Sequence, residues 1–112
     1  MKLPVLNHKL TLEMPVRAPD GAGGFTQSWQ ALGDLWAELK PGTGRERAAG
    51  FATVSTVTFR ITVRAAPDGA PSRPKPDQRF RSGARLFRIL AVTEADVGAH
   101  YLTCFAQEEV SA

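Results

Sequence analysis

Few side chains in this chain have the types and spacing that chemistry could use. Cys104 is the single cysteine, and a thiolate nucleophile needs a basic partner. Only His8 and His100 are available, and no spacing singles either out. With Leu102, Phe105 and Ala106 around it, Cys104 reads instead as a small buried apolar residue in a reducing compartment. No Cys-His cluster has zinc spacing, and no H-E-x-x-H is present. The glycine-rich run Asp20 to Gly24 lacks the G-x-x-x-x-G-K-[ST] pattern, and Gly42 to Arg45 is too short for a nucleotide motif. No serine sits in a G-x-S-x-G elbow, and Glu108-Glu109 reads as a solvated end rather than an acid-base pair. The expectation is a non-enzyme with no catalytic residue, no metal site and no cofactor.

Charge offers more than catalysis does. The net charge of +3 over 112 residues is unevenly placed. Residues 64–88 hold seven basic and two acidic groups, while residues 89–112 hold four acidic groups and no Lys or Arg. A basic middle and an acidic tail could meet across a subunit boundary, or the basic stretch could face a polyanion such as DNA. A small barrel that binds single-stranded nucleic acid is one reading of this pattern. Phe80, Phe87, Arg79, Arg81, Arg85 and Arg88 lie close in sequence, and Trp29 and Trp36 could stack bases. Against it, Phe87 alternates with arginines as a core residue would, and strand aromatics are more often core than platform.

The elements that would position these groups are strands. At 112 residues the chain fits a single domain over 1–112. Alternation dominates, with Leu10, Leu12, Met14 and Val16 on one parity and Lys9, Thr11 and Glu13 on the wet one. Pro15 places that strand at an edge or bends it. Ala18 to Gly24 is a hairpin connection by composition, its glycines supplying positive φ. Phe25 to Lys40 resembles a helix at first glance, but Gly33 interrupts the pattern. Period two places Leu35, Ala37 and Leu39 on one face, so two strands, or one long strand bulged at Gly33, fit better.

Pro41 to Gly50 has turn residues at each end and room for one short helical turn at Glu46 to Ala49. Phe51 to Arg64 is the clearest strand, with Val57, Phe59, Ile61 and Val63 alternating with threonines and arginines. Ala65 to Pro76 carries four prolines and reads as a loop. Strands at Leu86 to Val92 and His100 to Glu108 follow, with turns at Ser82-Gly83 and Ala95 to Gly98. The predicted fold is mainly β: a small antiparallel barrel or sandwich of about six strands, with long loops and at most one short helix. No apolar run approaches the roughly 20 residues needed to cross a bilayer, so no membrane partner is expected. The start, MKLPVLNHK, does not read as a secretion signal, which points to a protein made and used in a cytoplasm, or inside an assembly built there.

The order of parts resembles the head-closure proteins of long-tailed bacteriophages, also called head-tail joining or stopper proteins. The residues that carry the likeness are Leu6-Asn7-His8-Lys9-Leu10, Asp20 to Gly24, Trp29, Trp36-Ala37-Glu38-Leu39, Gly44-Arg45-Glu46, Val57 to Arg64 and Arg85 to Leu90. The wording LGDLWAEL looks especially like the versions in gene transfer agents of α-proteobacteria. The proline-rich connection after Arg64 departs from the pattern. The resemblance implies a structural connector: a homo-oligomeric ring, of roughly six or twelve copies, that closes the DNA-filled head. Its implied partners are an adaptor or portal ring on the head side, a tail terminator or tail tube on the tail side, and packaged double-stranded DNA in the channel. A tail-side completion protein is a similar reading. Two interface or channel-loop segments follow from it: Thr43, Gly44, Arg45, Glu46 and Arg47, and the basic loop with Arg73, Lys75, Arg79 and Arg81.

Overall fold

A computed structural model of the chain describes residues 3–42 and 57–109. These residues form six strands and, among them, no helix: β1 His8–Pro19, β2 Phe25–Pro41, β3 Thr58–Arg64, β4 Arg79–Ser82, β5 Arg85–Glu94 and β6 Tyr101–Glu109. All pairings are antiparallel, and the sheet closes on itself in the order β1-β2-β3-β6-β5-β4. Closure leaves no edge around the barrel proper. The expected helical turn at Glu46 to Ala49 and the first half of the strand expected from Phe51 lie outside the described residues.

Alternation decides which residues fill the interior. In β3, Ile61 and Val63 are fully buried while Thr58, Arg60 and Arg64 point out. Leu10 and Leu12 from β1, Phe80 from β4, Phe87 and Ile89 from β5, and Leu102, Cys104 and Ala106 from β6 meet them in one core. Phe59 packs edge-on against Phe87, with ring centroids 5.2 Å apart.

The β1–β2 hairpin is much longer than the barrel is deep. β4 pairs with β1 only at Thr11, Leu12 and Glu13, and β3 meets β2 only from Ala37 to Pro41. Beyond these limits the hairpin continues as a two-stranded ribbon, and the molecule measures 53 × 37 × 23 Å. Pro15 lies on the uncovered part of β1, the edge position its missing N–H favours.

At the ribbon's tip, Asp20 Oδ1 accepts the backbone N–H groups of Ala22 and Gly24 at 2.8 and 3.0 Å, with Gly21 and Gly23 at positive φ. Those two bonds hold the Asp20 carboxyl below its ordinary pKa. β2 is a single strand of 17 residues, and its register against β1 slips beside Gly33. Leu12 pairs with Gly33 and Glu13 with Ala31, so Leu32 is the extra residue of a bulge. Gly33 has φ +143°, a region open to glycine and strained for other residues.

Candidate interaction surface

No cluster of reactive groups is assembled among the described residues. Cys104 is fully buried, and desolvation pushes its thiol up to about 12. His8 Nδ1 lies 2.9 Å from Asn7 Oδ1, and His100 Nδ1 lies 2.9 Å from Asp96 Oδ2, both at the surface. The thiol therefore has no imidazole beside it. Asp96 also accepts the backbone N–H groups of His100 and Tyr101 at 2.9 and 3.0 Å, which closes the β5–β6 turn. The His100 contact, with these two bonds, lowers the Asp96 pKa.

The first expected interaction segment, Thr43, Gly44, Arg45, Glu46 and Arg47, lies outside the described residues. Its attachment is described. Gly42 N donates to Thr58 O at 2.6 Å, so these two described residues stand side by side at one end of the barrel. A Cβ on Gly42 would stand 2.9 Å from that carbonyl oxygen, which is why glycine serves there.

The second expected segment is not one free basic loop. Arg73 is tied inward, donating from Nη1 to Ala66 O at 2.7 Å and pairing with Asp68 at 3.2 Å. Lys75 alone of the four is in an exposed loop without such a tie. Arg79 and Arg81 belong to β4 and grip Glu13 of β1, at 2.7 and 2.9 Å through their Nε atoms. Glu13 is 6% exposed, although its parity placed it on the wet face. That face is outward as expected, but the side chains of Arg79 and Arg81 engage the carboxylate there. The Arg79 guanidinium lies 4.0 Å from the Trp29 ring centroid, so the carboxylate sits beneath a stacked Trp–Arg pair.

One further expectation is corrected in the same way. Glu108 is not a solvated end: Arg85 grips both its oxygens at 2.8 and 3.1 Å, which lowers the Glu108 pKa and raises that of Arg85. This contact joins the basic middle to the acidic tail within one chain. Phe80 and Phe87 are fully buried and cannot stack nucleobases, which removes half of the aromatic platform a single-strand-binding barrel would use.

The barrel also exposes large apolar side chains. Trp36 is 57% exposed on the outside of β2, beside Lys9 of β1 and Arg64 of β3. Leu6, Asp34, Leu35, Trp36 and Arg64 line an open groove of about 570 Å³ there. Phe25 stands at the ribbon tip with Arg17 over its ring at 4.9 Å. Leu90, Val97 and Phe105 are exposed on β5, the β5–β6 turn and β6. The alternation of Leu35, Ala37 and Leu39 already placed Trp36 on the outside. With Phe87 and Ile89 on the inner side of β5, the same alternation places Leu90 outside; it is also the extra residue of a second bulge, between Ile89 and Ala91.

Comparison with known proteins agrees with a connector. The sequence model of the family described as phage head completion protein matches residues 1–109. A chain in the structure described as the virion of a native gene transfer agent particle is similar at 59% identity and TM-score 0.84. That match covers 98% of this chain and 100% of that one. A protein of Shigella flexneri 2a, known from a solution structure, shares the fold at 20% identity and TM-score 0.69, over the full length of both chains. Comparison with curated proteins finds no match.

Proposed function

Because the chain belongs to the phage head completion protein family, we propose that it is a structural connector of a phage-like particle, working at the head-tail junction as a ring-forming stopper. In this reading it closes the DNA-filled head below the portal and adaptor rings and offers the surface on which the tail docks. The observation that carries the proposal is the 59% identity, across 98% of the chain, to a component of a gene transfer agent virion. The surface supports it. A closed barrel has satisfied its own core, yet this one leaves Phe25, Trp36, Leu90, Val97 and Phe105 exposed, as a subunit made for assembly would. The role requires no catalysis.

Pro41 to Phe51, which carries Arg45, Glu46 and Arg47, is the segment proposed to reach the channel or the neighbouring ring. Gly42, in that segment, is hydrogen-bonded to Thr58 of β3, which ties it to the barrel.

Deleting the gene in a producer strain and imaging its particles by negative-stain electron microscopy tests the proposal. Separate heads and tails, with heads that have lost DNA, are expected. Heads that keep their DNA but lack tails would move the protein to the tail side, and complete filled particles would overturn the junction role.

A further inference from the structure

Resting on the connector reading above, we infer that the open edge of β2, along the hairpin ribbon, is a docking site for an extended acidic segment of another protein of the particle. That segment pairs with the edge as an added strand. The strands of the barrel proper close on one another, but among the described residues no strand covers β1 beyond Glu13 or β2 before Ala37. Uncovered edges of this kind are where one chain adds a strand to another.

The two edges of the ribbon are not alike. Asp20 N donates to Gly24 O at 3.0 Å, which fixes the phase of the ladder. Antiparallel pairs alternate between hydrogen-bonded and non-hydrogen-bonded. In Pro19–Phe25, Arg17–Gln27, Pro15–Trp29 and Glu13–Ala31 the backbone groups therefore face away from the partner strand. On the uncovered part of β1 those outward positions fall on Pro15 and Pro19, which have no N–H, and that edge is guarded. On β2 they fall on Phe25, Gln27, Trp29 and Ala31, each with an N–H to donate. The run from Phe25 to Trp36 holds no proline and no basic residue. It ends in the groove of about 570 Å³ lined by Leu6, Asp34, Leu35, Trp36 and Arg64. Asp34, Leu35 and Trp36 point to alternate faces, so they share a groove only along the edge of the strand. The groove opens where β3 leaves β2, and an added strand continues the line of β3.

Charge selects the occupant. Arg64 lines the groove at one end of the edge, and Arg17 lies over Phe25 at the other. Neither has an ion pair among the described residues. Asp34, the one acid of the run, is already held by Lys9 at 3.6 Å and by the Thr11 hydroxyl at 2.8 Å. A second copy is a poor occupant. The unguarded edge it offers is β2 itself, and antiparallel pairing of two such edges sets Arg64 of each copy toward Arg17 of the other. A segment with carboxylates toward both ends satisfies both arginines instead. Cross-strand neighbours set the rest of its pattern: apolar side chains beside Phe25 and Trp29, and hydroxyl or amide side chains beside Thr26, Ser28 and Gln30 on the other face.

Gln27→Pro tests the edge, because it removes one outward N–H and keeps the ladder to β1, whereas Gln27→Ala removes only the side chain. Urea unfolding of the purified variants checks that the barrel is intact, and each is then introduced into a producer strain. Gln27→Pro should lower the yield of tailed, DNA-filled particles about tenfold or more, the scale of one backbone hydrogen bond per subunit, while Gln27→Ala leaves it unchanged. Normal yield with Gln27→Pro overturns the inference, as does equal loss from both variants. A photo-cross-linking amino acid in place of Gln30, in otherwise native particles, gives a second readout that does not depend on the proline variant folding. The expected product, identified by mass spectrometry of the joined peptides, is a proline-free segment of another particle protein with acidic residues toward both ends. A cross-link to a second copy of this chain, a cross-link to a segment without that chemistry, or no cross-link overturns the inference. The gene deletion tests the connector reading separately. Loss of complete particles on deletion, with normal particles from Gln27→Pro, keeps the connector and rejects the edge.

Discussion

Glu13 is the residue on which the ribbon and the barrel are joined. Its carboxylate is 7% exposed and receives Arg79 and Arg81, whose side chains are 16% and 45% exposed. Removing the acid strands Arg79 in a dry site under Trp29, whereas Arg81 can turn to water. Breaking a buried pair from one side typically costs 3–5 kcal/mol. Glu13→Ala is therefore expected to cost about 3 kcal/mol, and Arg81→Ala less than about 1 kcal/mol because that partner is half in solvent. Urea unfolding of both variants measures the difference, and equal effects would refute the asymmetry. A second prediction concerns Asp96. Its folded pKa lies below the ordinary 3.8, with the His100 side chain the largest cause. Its contribution to stability is therefore full above that value and is lost as pH falls through the lower folded pKa. In NMR titrations, His100→Ala should move the Asp96 midpoint upward while the two backbone bonds keep it below 3.8. An unmoved midpoint would assign the shift to the backbone alone. Parity read from the sequence placed Glu13 on the correct face. It could not reveal the burial, because that comes from β4 and Trp29, which are distant in sequence.

Strands and turns were legible where a residue type has one conformational use. Asp20 to Gly24 made the predicted hairpin, and Pro15 fell on an uncovered edge. Gly33 interrupted a helix-like run and proved to sit at a bulge. The long ribbon was not legible, because the sequence of β2 does not say where β3 stops covering it. The same holds for Arg79 and Arg81: basic spacing looked like a loop for a partner, while register against β1 made them part of the fold. Gly33 supports a direct test at this scale. A Cβ there would meet nothing within 4 Å, so the cost of Gly33→Ala is conformational alone. Holding a non-glycine residue in such a region costs about 1–3 kcal/mol. The unfolding free energy should fall by that amount, lowering the denaturant midpoint with an unchanged slope. A changed slope would mean instead that the register had slipped, moving the faces of β2 past the barrel.

For the whole molecule, the decisive property is how the charges are already engaged. The chain carries 14 basic and 11 acidic groups, a surplus that alone would admit a nucleic-acid-binding barrel. The fold ties many of those cations to carboxylates: Arg79 and Arg81 to Glu13, Arg85 to Glu108, Arg73 to Asp68, Arg88 to Asp77 and Lys9 to Asp34. A strand-binding groove needs free cations in a row with exposed rings between them. Here Phe80 and Phe87 are in the core, and Trp29 is already capped by an arginine. Single-stranded oligonucleotides should therefore bind the isolated protein no better than non-specifically, with Kd in the range of about 10⁻⁴ to 10⁻⁶ M at physiological salt. Fluorescence anisotropy across a salt series measures this. Binding several orders tighter would show that the cation–carboxylate pairs open for a polyanion, and would return the barrel to the nucleic-acid readings. Weak binding leaves the exposed apolar faces as the molecule's main unsatisfied surface. Such surface is satisfied by protein neighbours, which is the condition a connector subunit meets when it joins its particle.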